Sequence, residues 1–305
     1  MQLLVRLSPL TVAQHCRPMN YFSVGGLELP QIGLGTFPLR GEVLRKTLDC
    51  AVGNGYGLID SAYKYQNEDV IGEFIENHNT SNNPIIVQTK FSVTQLTYKK
   101  FLCFKYGKKT TTDAINGSID RLRKQSLDIY LLHAPSNGYT GYYADLKRFR
   151  EQGKAKVIGV CRFSEKQLQD IKETSGEYPA INQIEVHPFH TNKRVIDFCK
   201  RHDIVVEARS VLTHGDAMDR LSHSEVLKKI AADCGRSIPQ VIIRWIVQQG
   251  LIAIVKSETP GHIKDNIEVF DFYLTERQMS LIDSMNKDES FGCVSKMLGN
   301  HGKCN

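Results

Sequence analysis

The sequence lacks an apolar run long enough to cross a membrane, and it lacks the pattern of a secretory signal. A membrane-spanning helix needs ~18 or more consecutive apolar residues, and no such run occurs in the 305 residues. Residues 1–20 begin with apolar side chains but soon include Arg6, His15 and Arg17, without a long apolar core or a small-residue cleavage site. We therefore expect no membrane partner, and we expect residues 1–20 to be a poorly ordered N-terminal extension.

Cysteine pairs at metal-binding or redox spacing are also missing. The 8 cysteines lie far apart along the chain, whereas a zinc site or a redox motif would bring two of them within a few residues of each other. Isolated cysteines in helices and strands behave as small apolar residues. This usage indicates a reducing compartment, and we expect a cytoplasmic location. His187 and His190 could suggest a metal pair, but no third ligand has convincing spacing, so we predict no metal.

The chain also has no block of basic residues and no flexible linker. Its net charge is +6, yet Lys and Arg are scattered. We therefore expect no nucleic acid partner and favour a mildly basic enzyme with an anionic cofactor over a polyanion-binding protein. No Pro-, Gly- or Ser-rich segment divides the chain, and its length suits one barrel of alternating strands and helices. We predict one domain over residues 21–305, as a monomer or a weak oligomer.

A carboxylate and a phenol are present on one strand-to-helix connection. The short apolar run from Leu58 ends in Asp60, and a turn that carries Tyr65 follows before an amphipathic helix begins near Asp69. A free phenol has a pKa of about 10, which is too high for efficient proton donation at neutral pH. A nearby ammonium would lower the pKa of the phenol, and a carboxylate could hold that ammonium in place.

Two later strands end in suitable partner groups. The β-branched run from Ile85 ends in Lys90, and the apolar run from Leu127 ends in His133. In a barrel of parallel strands, the carboxyl ends of the strands all lie on the face that carries the active site. Lys90 and His133 would therefore meet the carboxylate of Asp60.

The order of these runs predicts the fold. Strand-like and helical runs alternate along the chain, which favours a (β/α)8 TIM barrel. Gly25 and Gly26 separate two short alternating runs, which predicts an N-terminal β-hairpin. After Pro135 we expect a short connection through Gly141 and then a helix near residues 143–152.

The residues on these strand ends, taken in order, resemble those of the aldo-keto reductases, which are NADP-dependent barrel enzymes. The resemblance covers residues 22–286 approximately. It implies that Tyr65 is the general acid, that Lys90 and Asp60 lower its pKa, and that His133 orients the substrate carbonyl. It also implies hydride transfer from a reduced nicotinamide to an aldehyde or ketone, which becomes an alcohol.

The same resemblance implies an NADP(H) site. A dinucleotide phosphate needs cations or a helix N-terminus, and Lys256, the N-cap candidate Thr259 and Pro260 at the first helical position supply both. His262 occupies the position of an arginine of the family, and Val255 that of a proline. We therefore expect weaker binding of the 2′-phosphate and a less strict preference for NADP. The residues assigned to cofactor binding are Thr36, Asp60, Cys161, Arg162, Gln183, Arg209, Ser210, Leu212, Lys256, Ser257, Thr259, His262 and Asn266.

The nicotinamide end departs further from the family. Cys161 and Arg162 replace a Ser-Asn pair, and Arg209 replaces the tyrosine that stacks on the nicotinamide. Two cations beside an oxidised nicotinamide would be unfavourable unless they were paired. Either the two arginines bind an anionic group of the substrate, which we favour because the four catalytic residues are intact, or the nicotinamide site has drifted and turnover is poor.

The predicted partner is thus a small-molecule carbonyl substrate, with an anionic one favoured. Two other functions stay open at this point. A non-catalytic barrel that binds NADP(H) as a sensor or partner subunit would explain the altered nicotinamide positions. A phosphate-sugar isomerase or aldolase could use the same fold, although Lys256, Ser257 and Gln183 together disfavour it.

Overall fold

The computed structural model describes residues 21–78, 84–96 and 110–291, and the extension predicted over residues 1–20 lies outside them. The strands are β1 (Tyr21–Val24), β2 (Leu27–Pro30), β3 (Ile32–Gly35), β4 (Leu58–Asp60), β5 (Ile86–Phe91), β6 (Leu127–Leu132), β7 (Ala155–Cys161), β8 (Ile181–Glu185), β9 (Val205–Arg209) and β10 (Ile252–Val255). The helices are α1 (Gly41–Gly53), α2 (Glu68–His78), α3 (Thr111–Arg121), α4 (Tyr139–Glu151), α5 (Glu165–Ser175), α6 (Lys193–Arg201), α7 (Asp216–Ser222), α8 (Glu225–Cys234), α9 (Ile238–Gln248), α10 (Pro260–Ile267) and α11 (Glu276–Asp283).

Strands β3 to β10 close into a barrel in which every neighbouring pair is parallel. The helices surround it, so the predicted (β/α)8 fold is confirmed. The strands are almost continuously buried because both of their faces are covered, one by the barrel interior and the other by the helices. This packing places the carboxyl ends of all eight strands at one end of the barrel, where barrel enzymes carry their sites.

The antiparallel hairpin β1–β2 closes the opposite end of the barrel. Val24 and Leu29 pack in one apolar cluster with interior side chains from the beginnings of the strands, such as Leu58, Ile86 and Val205. The hairpin was predicted, and its apolar side chains cover the amino end of the barrel interior.

Helix α4 begins earlier than predicted. The connection expected to run through Gly141 ends instead at Gly138, whose φ of 79° precedes the first helical residue. The first turn of α4 is held by tertiary contacts, because the Tyr139 ring packs edge-on against Phe163 at 5.3 Å and its hydroxyl lies 2.5 Å from a carboxylate oxygen of Asp170. These contacts outweigh the weak helix propensity of the glycines in this segment. Helices α7 and α11 were not predicted.

The contact between α2 and α3 yields a test of the packing. A Cβ atom added to Gly72 would clash with the carbonyl oxygen of Arg121 and lie 2.8 Å from the backbone carbon of Leu122. We expect Gly72→Ala to lower the free energy of unfolding by ~1–3 kcal/mol, since neither backbone atom can move alone. Chemical denaturation followed by circular dichroism measures this change.

Gly53→Ala in α1 is the matched control, because an added Cβ there meets nothing within 4 Å. We expect this variant to be as stable as the wild type or more stable by up to ~1 kcal/mol. Equal losses in the two variants would contradict the packing argument.

Candidate active site

A layer of polar side chains fills the carboxyl end of the barrel interior. Asp60 on β4 lies opposite Gln88 on β5, and Gln183 on β8 lies opposite Glu207 on β9. All four side chains are buried. Side chains two residues apart on a strand share one face, so Lys90 follows Gln88 into the same interior. The strand register therefore brings groups together that are far apart in the sequence.

The Asp60–Lys90 pair is the shortest contact of this layer. The Lys90 Nζ atom lies 2.5 Å from Asp60 Oδ1 and donates to the Ser61 carbonyl oxygen at 2.9 Å. Burial alone would lower the pKa of Lys90, but the Asp60 carboxylate outweighs it and the pKa of Lys90 is raised above its ordinary value. Lys90 is therefore a permanent ammonium, as the sequence predicted.

Tyr65 lies at the end of a 3-10 turn, Tyr63–Tyr65, directly after β4. Its ring centroid is 5.2 Å from Lys90 Nζ, 6.0 Å from the His133 ring and 5.1 Å from the ring of Phe37, which is exposed at the rim. The pKa of Tyr65 is nevertheless raised, because burial outweighs the lowering by Lys90. The expected net depression was wrong for this structure, although the predicted direction of the Lys90 contribution was right.

His133 follows β6 and is a neutral imidazole. Its backbone N–H donates to the Phe91 carbonyl at 2.8 Å, while its buried Nδ1 atom has no hydrogen-bond partner among the described residues. Burial lowers the pKa of His133 well below its ordinary value, and the positive charges of Lys90, Arg162, Lys64 and Arg209 add to this effect. A neutral ring can donate from one nitrogen to a carbonyl oxygen, which suits the predicted role.

Sequence reasoning missed two members of the polar layer, Gln88 and Glu207. The Gln88 Nε2 atom donates to Asp60 Oδ1 and to Glu207 Oε2, both at 2.7 Å. Burial, followed by the nearby Asp60 carboxylate, raises the pKa of Glu207 to about 7. A signal of burial was present, because Gln88 directly follows an apolar run and Glu207 interrupts one, but the hydrogen bonds join strands that are distant in sequence.

The two arginines of the nicotinamide end differ in their pairing. Arg209 NH2 lies 3.3 Å from Glu185 Oε2, and its NH1 donates to Ser210 Oγ at 3.2 Å. Arg162 has a φ of 70° and forms no ion pair within the described residues, and its buried Nε atom has no hydrogen-bond partner there. Cys161 Sγ lies 3.7 Å from Gln183 Oε1. One of the two cations is thus neutralised and the other is not.

Glu185 connects Arg209 to the end of the described chain. It accepts hydrogen bonds from Ser290 Oγ at 2.8 Å and from the Phe291 backbone N–H at 2.7 Å, and His187 Nε2 lies 3.1 Å away. Despite burial, these donors and Arg209 lower the pKa of Glu185 to about 2. Glu185 is therefore a carboxylate at every physiological pH.

A small cavity of about 260 Å³ opens beside these residues. It lies over the carboxyl ends of β7, β8 and β9, and Asp60, Tyr65, Lys90 and His133 are not among the residues that line it. Its polar lining comes from Arg162, Ser164, Glu185, His190, Asn192, Arg209 and Ser290. A larger cavity of about 610 Å³ lies between the beginnings of α5 and α6 and is likewise not lined by these four side chains.

The adenosine end of the predicted site lies after β10. Lys256 and Thr259 are exposed, His262 is exposed in the first turn of α10, and Asn266 is buried. Thr259 is the N-cap residue as predicted, but its side chain forms no capping hydrogen bond, and its N–H donates to Ser257 Oγ at 3.1 Å. No acidic residue occupies the first turn of α10, so its N-terminus is free to attract an anion.

Glu258, which lies between Ser257 and the N-cap residue Thr259, is a residue of this site that the sequence did not predict. Its Oε1 atom lies 2.5 Å from Lys256 Nζ. The residue that is expected to bind the 2′-phosphate therefore already has an anionic partner. A phosphate would have to share Lys256 with this carboxylate.

Two of the residues assigned to cofactor binding, Thr36 and Leu212, are buried or partly buried. Thr36 is fully buried, and its hydroxyl donates to the Asp60 carbonyl at 2.9 Å and accepts from Asn67 Nδ2 at 3.1 Å. Leu212 is partly buried and packs against the apolar core. The structure thus places Thr36 beneath the site, where it supports the strand end that carries Asp60.

Within residues 21–78, 84–96 and 110–291, no group of three or more His, Cys, Asp or Glu side chains could hold a metal ion. No helix in this described part is long and apolar enough to cross a membrane. The pair His187 and His190 is instead tied into the structure through Glu185 and through backbone hydrogen bonds between the two residues.

Comparisons with known proteins identify the family. The family profile described as "Aldo/keto reductase family" matches residues 31–287. Glyoxal reductase of Bacillus subtilis (strain 168) is 34% identical over 269 residues, 88% of this chain and 92% of the relative. Morphine 6-dehydrogenase of Pseudomonas putida is 34% identical over 280 residues, 88% of this chain and 91% of the relative. A crystal structure of a Gox0644 variant in complex with NADPH has a TM-score of 0.79 and 31% identity, and covers 91% of this chain and 97% of that one.

The chain therefore belongs to the aldo-keto reductase family, and it is an NADP(H)-dependent carbonyl reductase. This conclusion confirms the predicted function over the non-catalytic and isomerase alternatives. The donor set after β10 fits a dinucleotide phosphate, because Lys256, Ser257 and the helix N-terminus without acidic residues offer a cation and hydrogen-bond donors.

Glu258 provides a test of the phosphate site. We expect Glu258→Gln to tighten NADPH binding up to about fivefold while leaving NADH binding unchanged, because an exposed charge pair is worth ~0.2–1 kcal/mol and NADH has no 2′-phosphate to compete with. Fluorescence titration of both cofactors measures the two dissociation constants.

Glu268→Gln is the matched control, since Glu268 follows the same helix, lies near Lys264, and has a side chain that is 51% exposed, as is that of Glu258. Glu268→Gln should bind both cofactors as the wild type does. If Glu258→Gln tightened NADH and NADPH equally, the carboxylate would not be facing the 2′-phosphate.

Proposed function

We propose that Tyr65 is the proton donor of this reductase and that Lys90 and Asp60 support it. The observation that carries the proposal is the convergence of Tyr65, His133 and the buried Lys90–Asp60 pair at the end of the barrel. NADPH supplies the hydride when it is bound. His133, as a neutral imidazole, orients the carbonyl oxygen by donating a hydrogen bond from one ring nitrogen.

Charge development explains why the ammonium matters. As the carbonyl carbon is reduced, its oxygen becomes an alkoxide, and the Tyr65 hydroxyl transfers its proton to that oxygen. The negative charge then passes to the phenol oxygen, where the fixed ammonium of Lys90 stabilises it electrostatically. Asp60 holds Lys90 in place and donates no proton itself.

The proton donor can be tested directly. We expect Tyr65→Phe to lower kcat by about 100-fold or more, since general acid catalysis contributes ~10²–10⁴-fold. NADPH affinity should stay within about twofold, because the phenol hydroxyl acts on the substrate oxygen. Oxidation of NADPH with an aldehyde substrate and fluorescence quenching measure the two quantities.

Tyr63→Phe is the control for this test. Tyr63 lies in the same 3-10 turn, but its ring faces the Arg121 guanidinium at 5.1 Å. It should keep wild-type turnover. Wild-type turnover in Tyr65→Phe would remove Tyr65 from the mechanism.

We also infer that the preferred substrate is anionic. Arg209 is neutralised by Glu185, which removes the objection to two cations at this end of the site. Arg162 is left without an ion pair among the described residues, and it lines the cavity beside the strand ends. The negative charge of Glu185 is already shared among its four donors. A substrate carboxylate or phosphate group would supply the charge that Arg162 lacks.

Lys64 adds to this positive region and was not found from the sequence. Both Lys64 and Arg162 lower the pKa of His133, and Arg162, after partial burial, lowers the pKa of Lys64. The two cations are thus close enough to repel each other across the mouth of the site. An anionic group between them would relieve that repulsion.

Arg162 gives the test of substrate charge. We expect Arg162→Gln to lower kcat/KM for 4-oxobutanoate by about 10- to 100-fold, since a hydrogen bond to a charged group contributes ~1.5–3 kcal/mol. The kcat/KM for butanal, which has the same chain length without the carboxylate, should change by less than about threefold. Steady-state kinetics with both aldehydes measures the difference.

Arg194→Gln is the control variant, because Arg194 is an exposed arginine paired with Glu165 at 3.3 Å. It should leave both substrates unaffected. An equal loss for both substrates in Arg162→Gln would instead assign Arg162 to cofactor binding and contradict the anionic substrate.

A cytoplasmic location and a monomeric or weakly oligomeric state are part of the same proposal. The cysteines in the described part of the chain, Cys50, Cys161, Cys199 and Cys234, are all free. Free cysteines on several separate elements are typical of a reducing compartment.

A further inference from the structure

We propose that Glu207 is a positioning residue that orients the Gln183 amide for nicotinamide binding. The proposal rests on the proposed reduction by NADPH, and it takes Gln183, one of the residues assigned to cofactor binding, as the contact of the nicotinamide carboxamide. Glu207 is the one carboxylate of the buried polar layer to which the reduction mechanism gives no role.

The hydrogen bonds of Gln183 carry the argument. Its Nε2 atom donates to Asp60 Oδ1 at 2.9 Å and to Glu207 Oε2 at 2.8 Å. Ionised carboxylates only accept hydrogen bonds, so two of them on one side of an amide fix its nitrogen toward them. The Gln183 Oε1 atom must then point the other way, where Cys161 Sγ at 3.7 Å is its partner in the described structure.

This orientation leaves the oxygen of Gln183 as the group that can accept a hydrogen bond from a carboxamide N–H. Asp60 alone would not hold it as firmly, because Asp60 Oδ1 also accepts from Lys90 and Gln88. Gln88 repeats the arrangement, since its amide nitrogen donates to both carboxylates as well. Two amides therefore bridge two carboxylates across the barrel interior.

Burying a second carboxylate in the barrel interior costs free energy, which indicates that Glu207 has a function there. Glu207 is fully buried, and its Oε1 atom has no hydrogen-bond partner in the described part of the chain. Its negative charge is repelled by that of Asp60, and Lys90 is the cation near both. A polar group left unsatisfied in the interior costs ~1–3 kcal/mol. An apolar side chain would fill this position at lower cost.

The ionisation of Glu207 provides a measurable consequence. Burial and then Asp60 raise the pKa of Glu207 to about 7, so the carboxyl group is mostly neutral at pH 6 and ionised at pH 8.5. A hydrogen bond to an ionised acceptor is stronger than one to a neutral acceptor. The hydrogen bond from Gln183 to Glu207 should therefore strengthen as the pH rises through this range. The affinity for the nicotinamide end of the cofactor should rise with it.

Three titratable groups of the site, Lys90, Tyr65 and His133, keep one charge state across this window. Lys90 and Tyr65 have raised pKa values, and His133 has one well below its ordinary value. Gln88 and Gln183 have no charge to lose. The Cys161 thiol also lies against Gln183. A variant that replaces Glu207 and keeps this thiol separates the effect of the thiol from that of Glu207.

The experiment compares NADPH with 2′-phospho-ADP-ribose, a fragment of the cofactor without nicotinamide, by calorimetry at pH 6 and pH 8.5. Both molecules carry the 2′-phosphate, so the ratio of their dissociation constants cancels its titration. In the wild type, we expect NADPH to gain about three- to tenfold over the fragment between the two pH values. Glu207→Gln keeps one acceptor without the charge and should show the pH 6 ratio at both pH values.

Glu68→Gln is the control, because Glu68 is also a buried carboxylate that accepts from β5, through Thr89, but it lies outside the barrel interior. It should keep the wild-type response. A ratio independent of pH in the wild type, or an unchanged pH response in Glu207→Gln, would overturn the proposal. If the wild type failed to bind NADPH at all, the cofactor assignment on which the proposed function rests would fail instead, so the two failures are distinguishable.

Discussion

The ion pair between Asp60 and Lys90 is the interaction on which the site depends. Both groups are buried, and an unpaired charge in such a place would cost several kcal/mol. The pair persists because the strand register adds further hydrogen bonds to it: the Gln88 and Gln183 amides donate to Asp60, and Lys90 donates to the Ser61 carbonyl oxygen. The result is a fixed, buried ammonium at the carboxyl end of the barrel, and the proposed role of Tyr65 depends on it.

The same requirement for pairing orders the positive charges at the mouth of the site. Arg209 has Glu185, and Lys256 has Glu258. Arg162 has no ion pair within the described residues, and the Lys64 ammonium lies near it. The unpaired positive charge marks the place where binding of an anion would be most favourable. The anionic substrate that we propose would follow from which cations the fold leaves without a partner among the described residues.

The sequence predicted those features that depend on local pattern. Strand ends at Asp60, Lys90 and His133 could be found because apolar runs stop there, and parallel strands bring their ends together. The roles of Gln88 and Glu207 could not be found in this way, since their hydrogen bonds cross the barrel between strands that are distant in sequence. The pairing of Glu258 with Lys256 was missed for another reason, because an exposed carboxylate beside a lysine is common on protein surfaces.

The raised pKa of Tyr65 shows that burial can reverse a pKa shift expected from the neighbouring ammonium alone. The ammonium of Lys90 does lower the pKa of Tyr65, but loss of water raises it further. Tyr65 therefore keeps its proton across the physiological range. The loss of water also strengthens the attraction between Lys90 and a phenolate, because charges interact more strongly at low dielectric. Burial thus disfavours the phenolate, and in the proposed mechanism the Lys90 ammonium offsets part of that cost when the proton leaves Tyr65.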